Sequence, residues 1–172
     1  MTQSGIVDET LAAPPSSLLD LYVDTLWNLY ATTNVMIVVL PRMADAVSHP
    51  ELATVLRDAL GQASHAAERL KAMLSHFPGP ARVHATEIDT LIGVAARQLV
   101  SWPRGDPRDV ALSTVVRCAI HTAIPGCELA VVLAETNDLP EHAGELKALR
   151  DQMQATDERL RRAAEQRIRR LG

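Results

Sequence analysis

Aromatic side chains make up only 3% of this 172-residue chain: one Phe, two Tyr and two Trp. With so few aromatics and an abundance of Ala, Leu and Val, the composition argues for helices and against sheets. Cysteine is almost absent too. Cys118 and Cys127 stand nine residues apart in a helical stretch, about 13 Å along the axis and on roughly opposite faces. They cannot bridge to each other, and a reducing cytoplasm is the expected compartment. An excess of positive charge is missing as well: the formal net charge is -4, so no nucleic-acid partner is expected. The longest apolar run, VMIVVL at 35–40, is far too short to cross a bilayer, so no membrane partner is expected either. Residues 1–17 have neither a basic start nor an apolar stretch, so no signal peptide is expected. There is no Gly-rich phosphate loop. Ser64 and Ser113 have no evident His and Asp companions for a nucleophilic triad.

At 47% hydrophobic residues the chain can bury a substantial single core. Its head, MTQSGIVDETLAAPPSS, is polar and ends in a Pro-Pro-Ser-Ser break, which reads as a flexible arm over 1–17 followed by one domain over 18–172. A first helix is expected from about Leu18 to Val47, capped by Ser17 with Asp20 in its first turn and kinked near Val38–Leu40 by Pro41. Pro50 suits the first turn of a second helix, which runs to about His76. FPGPAR then forces a loop. A short third helix covers about Ala85 to Ser101. A fourth runs from about Arg108 to Thr136, interrupted at Pro125-Gly126, and a fifth follows NDLPEH to about Arg170. Four long helices, one short one and no strand signal predict an all-α antiparallel bundle. Arg159, Arg161, Arg162, Arg167, Arg169 and Arg170 crowd the end of the chain and read as a solvated helix end, where cations complement the carbonyl dipole.

The segment LYATTNVMIVVLPRMADAVSHPELATVLRDAL, followed by AAERL, resembles the YciE/YciF-type ferritin-like family. The resemblance rests on Leu29-Tyr30, Leu40-Pro41, Met43-Ala44, Ser48, Pro50-Glu51-Leu52 and Glu68-Arg69-Leu70. Fainter echoes follow in IDTLI at 88–92, in His121 with Gly126, and in TDERL at 156–160. It covers roughly residues 18–162. It implies a ferritin-like four-helix core with an extra short helix, commonly dimeric, a link to stress responses, and a two-metal carboxylate site at the bundle centre. Such a site needs glutamates on facing helices and Glu/His pairs about one turn apart, all pointing inward.

This sequence departs from the pattern at those positions. Thr33 stands at the helix-one glutamate. Gly61 and Gln62 stand at the acidic pair of helix two, and Ala66 at the residue after it. Ile120 and Ala123 stand at the glutamates around the helix-four histidine, and Ala155 stands before TDERL. His121 is the polar residue of that set that remains. A chain so altered is expected to hold no metal and no other cofactor. A Cys118, His121 and His65 set would suit zinc, but no fourth ligand stands near it.

Two classes of function follow. In the first, the vacated centre is an apolar pocket for a small organic molecule, with His121 as candidate acid/base or orienting group. Tyr30, Thr33, Ile37, Gln62, His65, Cys118, Thr122 and Pro125 are the expected lining, with Tyr22 and Trp27 beside Tyr30 at the mouth. Pro125 cannot donate to the carbonyl of His121, so the helix is expected to open at the histidine, and Gly126 to admit a backbone or a ligand. In the second, the chain is a non-enzymatic homodimer with a stress or interaction role, burying the VMIVVL face. A residual di-iron, di-manganese or zinc protein is the third and weakest reading.

Overall fold

The computed structural model describes residues 15–77 and 87–171. The arm read over 1–17 and the FPGPAR loop lie mostly outside the described residues, as do the side chains of α3 before Ile92. Five helices follow in order: α1 Leu18–Ala46, α2 Pro50–Leu74, α3 Glu87–Val100, α4 Asp106–Thr136 and α5 Pro140–Leu171. The chain is an all-α bundle. Short links, Val47–His49 and Asn137–Leu139, reverse the chain between α1 and α2 and between α4 and α5, which makes each pair antiparallel. The four long helices form a square in which α1 touches α2 and α4, and α5 touches α4 and α2. The short α3 lies across α1 and α4.

The ends of α1 and α4 follow from local chemistry. Ser17 caps α1 by accepting from the N–H of Asp20 at 3.0 Å, as its place before an apolar helix suggests. Gly105, at φ 149°, supplies the backbone conformation that leads into α4, and Pro107 occupies its first turn. Both internal prolines sit within unbroken helix: α1 runs through Pro41 and α4 through Pro125-Gly126. The expected opening at Pro125 is therefore absent. Pro125 is exposed, so the carbonyl it leaves without a partner lies on the solvent side, where water satisfies it.

Arg108 and Asp109, in the first turn of α4, tie three helix ends together. Both are buried. Arg108 donates from Nη1 to the carbonyl of Trp102 at 2.8 Å, just beyond α3, and from Nη2 to the carbonyl of Ala46 at the end of α1. Asp109 accepts the N–H of Ser48 at 2.9 Å and of His49 at 3.1 Å, capping the start of α2 from a different helix. Carbonyl ends meet a cation and an amide end meets an anion, as the helix dipoles require.

The core forms two lobes. One is built on Met43, Leu52, Leu56, Leu112, Val116 and Leu160, where α3 covers α1 and α4. The other is built on Tyr22, Leu26, Leu70, Cys127 and Leu146 at the opposite end. By length and composition α1 and α4 could each cross a bilayer; 50% of the most apolar window of α1 and 33% of that of α4 is buried in the bundle. Core helices pass the same test, and both serve here as core helices.

Candidate binding chamber

The two lobes meet at mid-height around small side chains, and the space between them is not filled. Ala59, Ala63 and Ala66 on α2 face Ala119 and Ala123 on α4, with Thr32 and Thr33 on α1 and Thr156 on α5. Alanines and threonines at facing positions on four helices cannot span the gap that larger side chains would close. The result is a chamber with about 60 Å³ open to the centre of a water molecule. At roughly 10–15 Å³ per water in this measure, it has space for a few waters or for a guest of a few heavy atoms. Met36, Leu40, Val116, Ile120, Leu149 and Met153 complete its apolar wall.

Its polar groups are few. Thr33 donates its hydroxyl to the carbonyl of Leu29 at 2.7 Å, which leaves its oxygen able to accept from a guest. Thr156 donates to Oε1 of Gln62 at 2.6 Å, linking α5 to α2, and leaves the Gln62 NH2 group able to donate to one. Gln62, Ala63 and Met153 are half-buried and Gln152 is exposed, so the chamber opens to solvent between α2 and α5. No group in the wall is a general acid or base near neutral pH.

Five positions singled out in the sequence as former ligand sites line this chamber: Thr33, Gln62, Ala66, Ile120 and Ala123. Of the lining expected earlier, Thr33 and Gln62 are there, and the rest are elsewhere. His121 does not face the centre. Its side chain is 57% exposed and its Nε2 lies 3.1 Å from Oδ1 of Asp157. Ile120 and Ala123, three apart, both point inward, so the residue after Ile120 is turned by about 100° to the groove between α4 and α5. There Asp157 also accepts from Arg117 Nε at 2.8 Å. Burial alone would raise the Asp157 pKa, but the hydrogen bonds from Arg117 and His121 outweigh it and hold the carboxyl below its ordinary value.

The other corrections have the same geometric origin. Cys118, Thr122 and Pro125 lie on the outer face of α4, all exposed. Thr122 donates to the carbonyl of Cys118 at 2.9 Å. His65 is exposed on α2, with Glu68 at 3.9 Å. Tyr30 packs edge-on against Trp27 at 5.8 Å, away from the chamber, and Ile37 is half-buried without reaching it. Tyr22 is fully buried at the far end of the bundle, where its hydroxyl meets His142 Nδ1 at 2.9 Å. Gly126 admits neither a backbone nor a ligand: the Leu29 side chain of α1 seats against it, and a Cβ there would come within 3.1 Å of Leu29. Ala59, Ala63, Val116 and Ala119 also line the chamber, each about one or two helical turns from a flagged position on its own helix, and that register was the signal available. Thr156 on α5 adjoins the flagged Ala155.

The family model described as a domain of unknown function, DUF892, matches residues 17–171. The chain belongs to that family. The Escherichia coli stress protein YciF has a similar solved structure, with a TM-score of 0.79 at 18% identity, covering 90% of this chain and 98% of that one. YcfI from Rhodopseudomonas palustris, described as a putative structural protein, gives 0.77 at 19% identity over 87% and 96% of the two chains. No curated protein sequence matches. At these identities the structural likeness establishes the YciF-type, ferritin-like fold.

This DUF892 chamber does not fit the two-metal centre that the family resemblance implies. Its wall carries no carboxylate, imidazole or thiol. Among the described residues, no three His, Cys, Asp or Glu side chains come together to hold a metal. Hydroxyls, carboxamides and one thioether per methionine are too weak a set to hold iron or manganese.

Proposed function

We propose that the chain is a metal-free member of its family whose vacated bundle centre binds a small, largely apolar organic molecule carrying a single hydrogen-bonding head. The observation that supports this most is the chamber wall: apolar on α1, α2, α4 and α5, with an acceptor at Thr33 and a donor at Gln62. A concave apolar site with a few placed polar groups is the usual form of a small-molecule site. With His121 outside the chamber, the reading is of a binding protein rather than an acid/base catalyst. The test is titration with a panel of small alcohols, phenols and ketones, followed by calorimetry and thermal shift. Saturable one-to-one binding that Ala66→Leu or Ala123→Leu removes would support the reading. Binding that survives both fillings would place the guest elsewhere.

A second reading, a homodimer with an interaction role, is favoured by a different observation. In the VMIVVL run, Met36, Val39 and Leu40 are buried within the chain itself, and Val38 is the exposed one. The outward apolar surface lies on α4 instead, where Cys118, Thr122, Pro125, Leu129 and Val132 form an uncharged stripe, Leu129 43% and Val132 58% exposed. Such a stripe calls for cover. A dimer through α4 would turn monomeric in light scattering on Val132→Glu, whereas Val38→Glu would leave it intact.

A further inference from the structure

The run of arginines at the end of α5 is not uniformly solvated. Arg167 is 1% exposed, and among the described residues its side chain makes no hydrogen bond; its Nε and Nη2 are buried without a partner. Its nearest carboxylate oxygen is Glu51 Oε2, 3.6 Å from Nη2, beyond hydrogen-bond distance. A guanidinium has five N–H donors and is always charged. Holding one inside a fold with nothing to accept from it is costly enough that an anion or water is expected to fill the role.

Arg167 is aimed at the first turn of α2. Glu51 is the second residue of that helix, and His49, its N-cap, provides no side-chain cap. The first helical hydrogen bond of α2 is from the N–H of Ala53 to the carbonyl of His49, so the N–H groups of Glu51 and Leu52 precede it and have no helical acceptor. His49 adds an imidazole whose Nδ1 is also buried without a partner, and whose Nε2 is 3.4 Å from Nη1 of Arg170. Two guanidiniums, one imidazole and the positive end of a 25-residue helix thus meet at one end of the bundle. Among the described residues two anions stand there: Asp109, committed to the N–H groups of Ser48 and His49, and Glu51, whose side chain is 61% exposed.

We propose that this end of the bundle is a binding site for a phosphate-type oxyanion, held by Arg167 and Arg170 and by the N–H groups that open α2. A tetrahedral oxyanion supplies several acceptors at once, which suits a fork of guanidinium donors facing a helix N-terminus. The chemistry is shared by free phosphate and by a phosphate monoester on a small molecule. The site lies at the start of α2, about two helical turns from Ala59, the first chamber residue on that helix, and does not depend on how the chamber is used.

The test uses inorganic phosphate and glycerol phosphate as probes, against chloride at equal ionic strength, with calorimetry and thermal shift on the full chain. Saturable, one-to-one binding of phosphate is expected. Arg167→Met, which keeps the length of the side chain without its donors, should weaken it by about tenfold or more, the worth of a charged hydrogen bond. Glu51→Gln should tighten it by removing the competing carboxylate. Tighter binding of glycerol phosphate than of phosphate would assign the site to a monoester, and the reverse to the free ion. If Arg167→Met does not fold, the Glu51→Gln comparison still decides. No saturable binding by the wild type, equal binding by Arg167→Met, or a Glu51→Gln chain that melts lower and binds no phosphate would overturn the proposal. The last result would make Glu51 the true partner of Arg167.

Discussion

Asp109 joins two helices with one carboxylate. Fully buried, it accepts from Ser48 and His49 at the start of α2 while standing in the first turn of α4. Asp109→Ala removes the acceptor for both N–H groups. The expected loss is about 2–3 kcal/mol, the size of a strong cap and a charged hydrogen bond, read as a lower denaturant midpoint at unchanged slope. Asp109→Asn keeps the shape and one acceptor and should lose less. A second residue-scale expectation concerns His142. Its Nδ1 shares a hydrogen bond with the Tyr22 hydroxyl, and its ring lies nearly parallel to that of His76, ring centres 5.5 Å apart. Burial, and then the neighbouring His76, lower its pKa from 6.5, with Glu141 and Glu145 opposing. Burial pushes the Tyr22 hydroxyl up to about 12, so Tyr22 stays protonated throughout this range. As pH falls through 6.5, the unfolded chain takes up a proton that the folded chain resists until its lower pKa is reached. The unfolded state then binds more protons, and stability falls with pH in that window. Melting temperature should therefore drop on mild acidification from neutral, and His142→Gln should flatten that part of the profile. An unchanged slope in the variant would assign the effect to other groups.

At the scale of elements, α1 and α4 come close at Gly126. Gly126 leaves room for Leu29, and a Cβ there would already stand 3.1 Å from it. Gly126→Val would force the two helices apart or push Leu29 off its rotamer, a destabilisation of about 1–3 kcal/mol by thermal or denaturant melts. Gain of stability would mean that Leu29 has space to retreat. The same scale shows what was legible beforehand. Helix starts were legible in local chemistry, in Ser17 before an apolar run and Pro50 in a first turn; α4 starts at Asp106 rather than Arg108, which puts Pro107 in its first turn. The chamber positions on α1, α2 and α4 were legible through Thr33, Gln62, Ala66, Ile120 and Ala123, because a ligand register is a helical register. The chemistry of His121 suggests a site residue, but its angle on the helix excludes it from the centre. If Ile120 and Ala123 face inward, His121 cannot. Its partner Asp157 lies on another helix, 36 positions on, and no local pattern pairs them. Pro125 does not break α4, since a proline on the solvent side of a long packed helix costs one hydrogen bond that water replaces. The buried Arg167 was equally hidden, because a charge run looks solvated until a neighbouring helix end closes over one member of it.

For the whole molecule, the consequence is a bundle of two packed lobes held apart at mid-height by small residues where the ferritin-like fold would otherwise place carboxylates. The lobes account for its stability and the gap between them for its proposed use. The measurement that bears most directly on this is a high-resolution crystal structure of the protein, exposed to iron and manganese and then to the tightest organic binder from the titration panel, with anomalous data collected at each metal edge. The account predicts no anomalous peak between Thr33, Gln62, Ile120 and Thr156, and density there for the organic molecule, its polar head at Thr33 or Gln62. A metal peak at the bundle centre, or a chamber closed by repacked side chains, would contradict it.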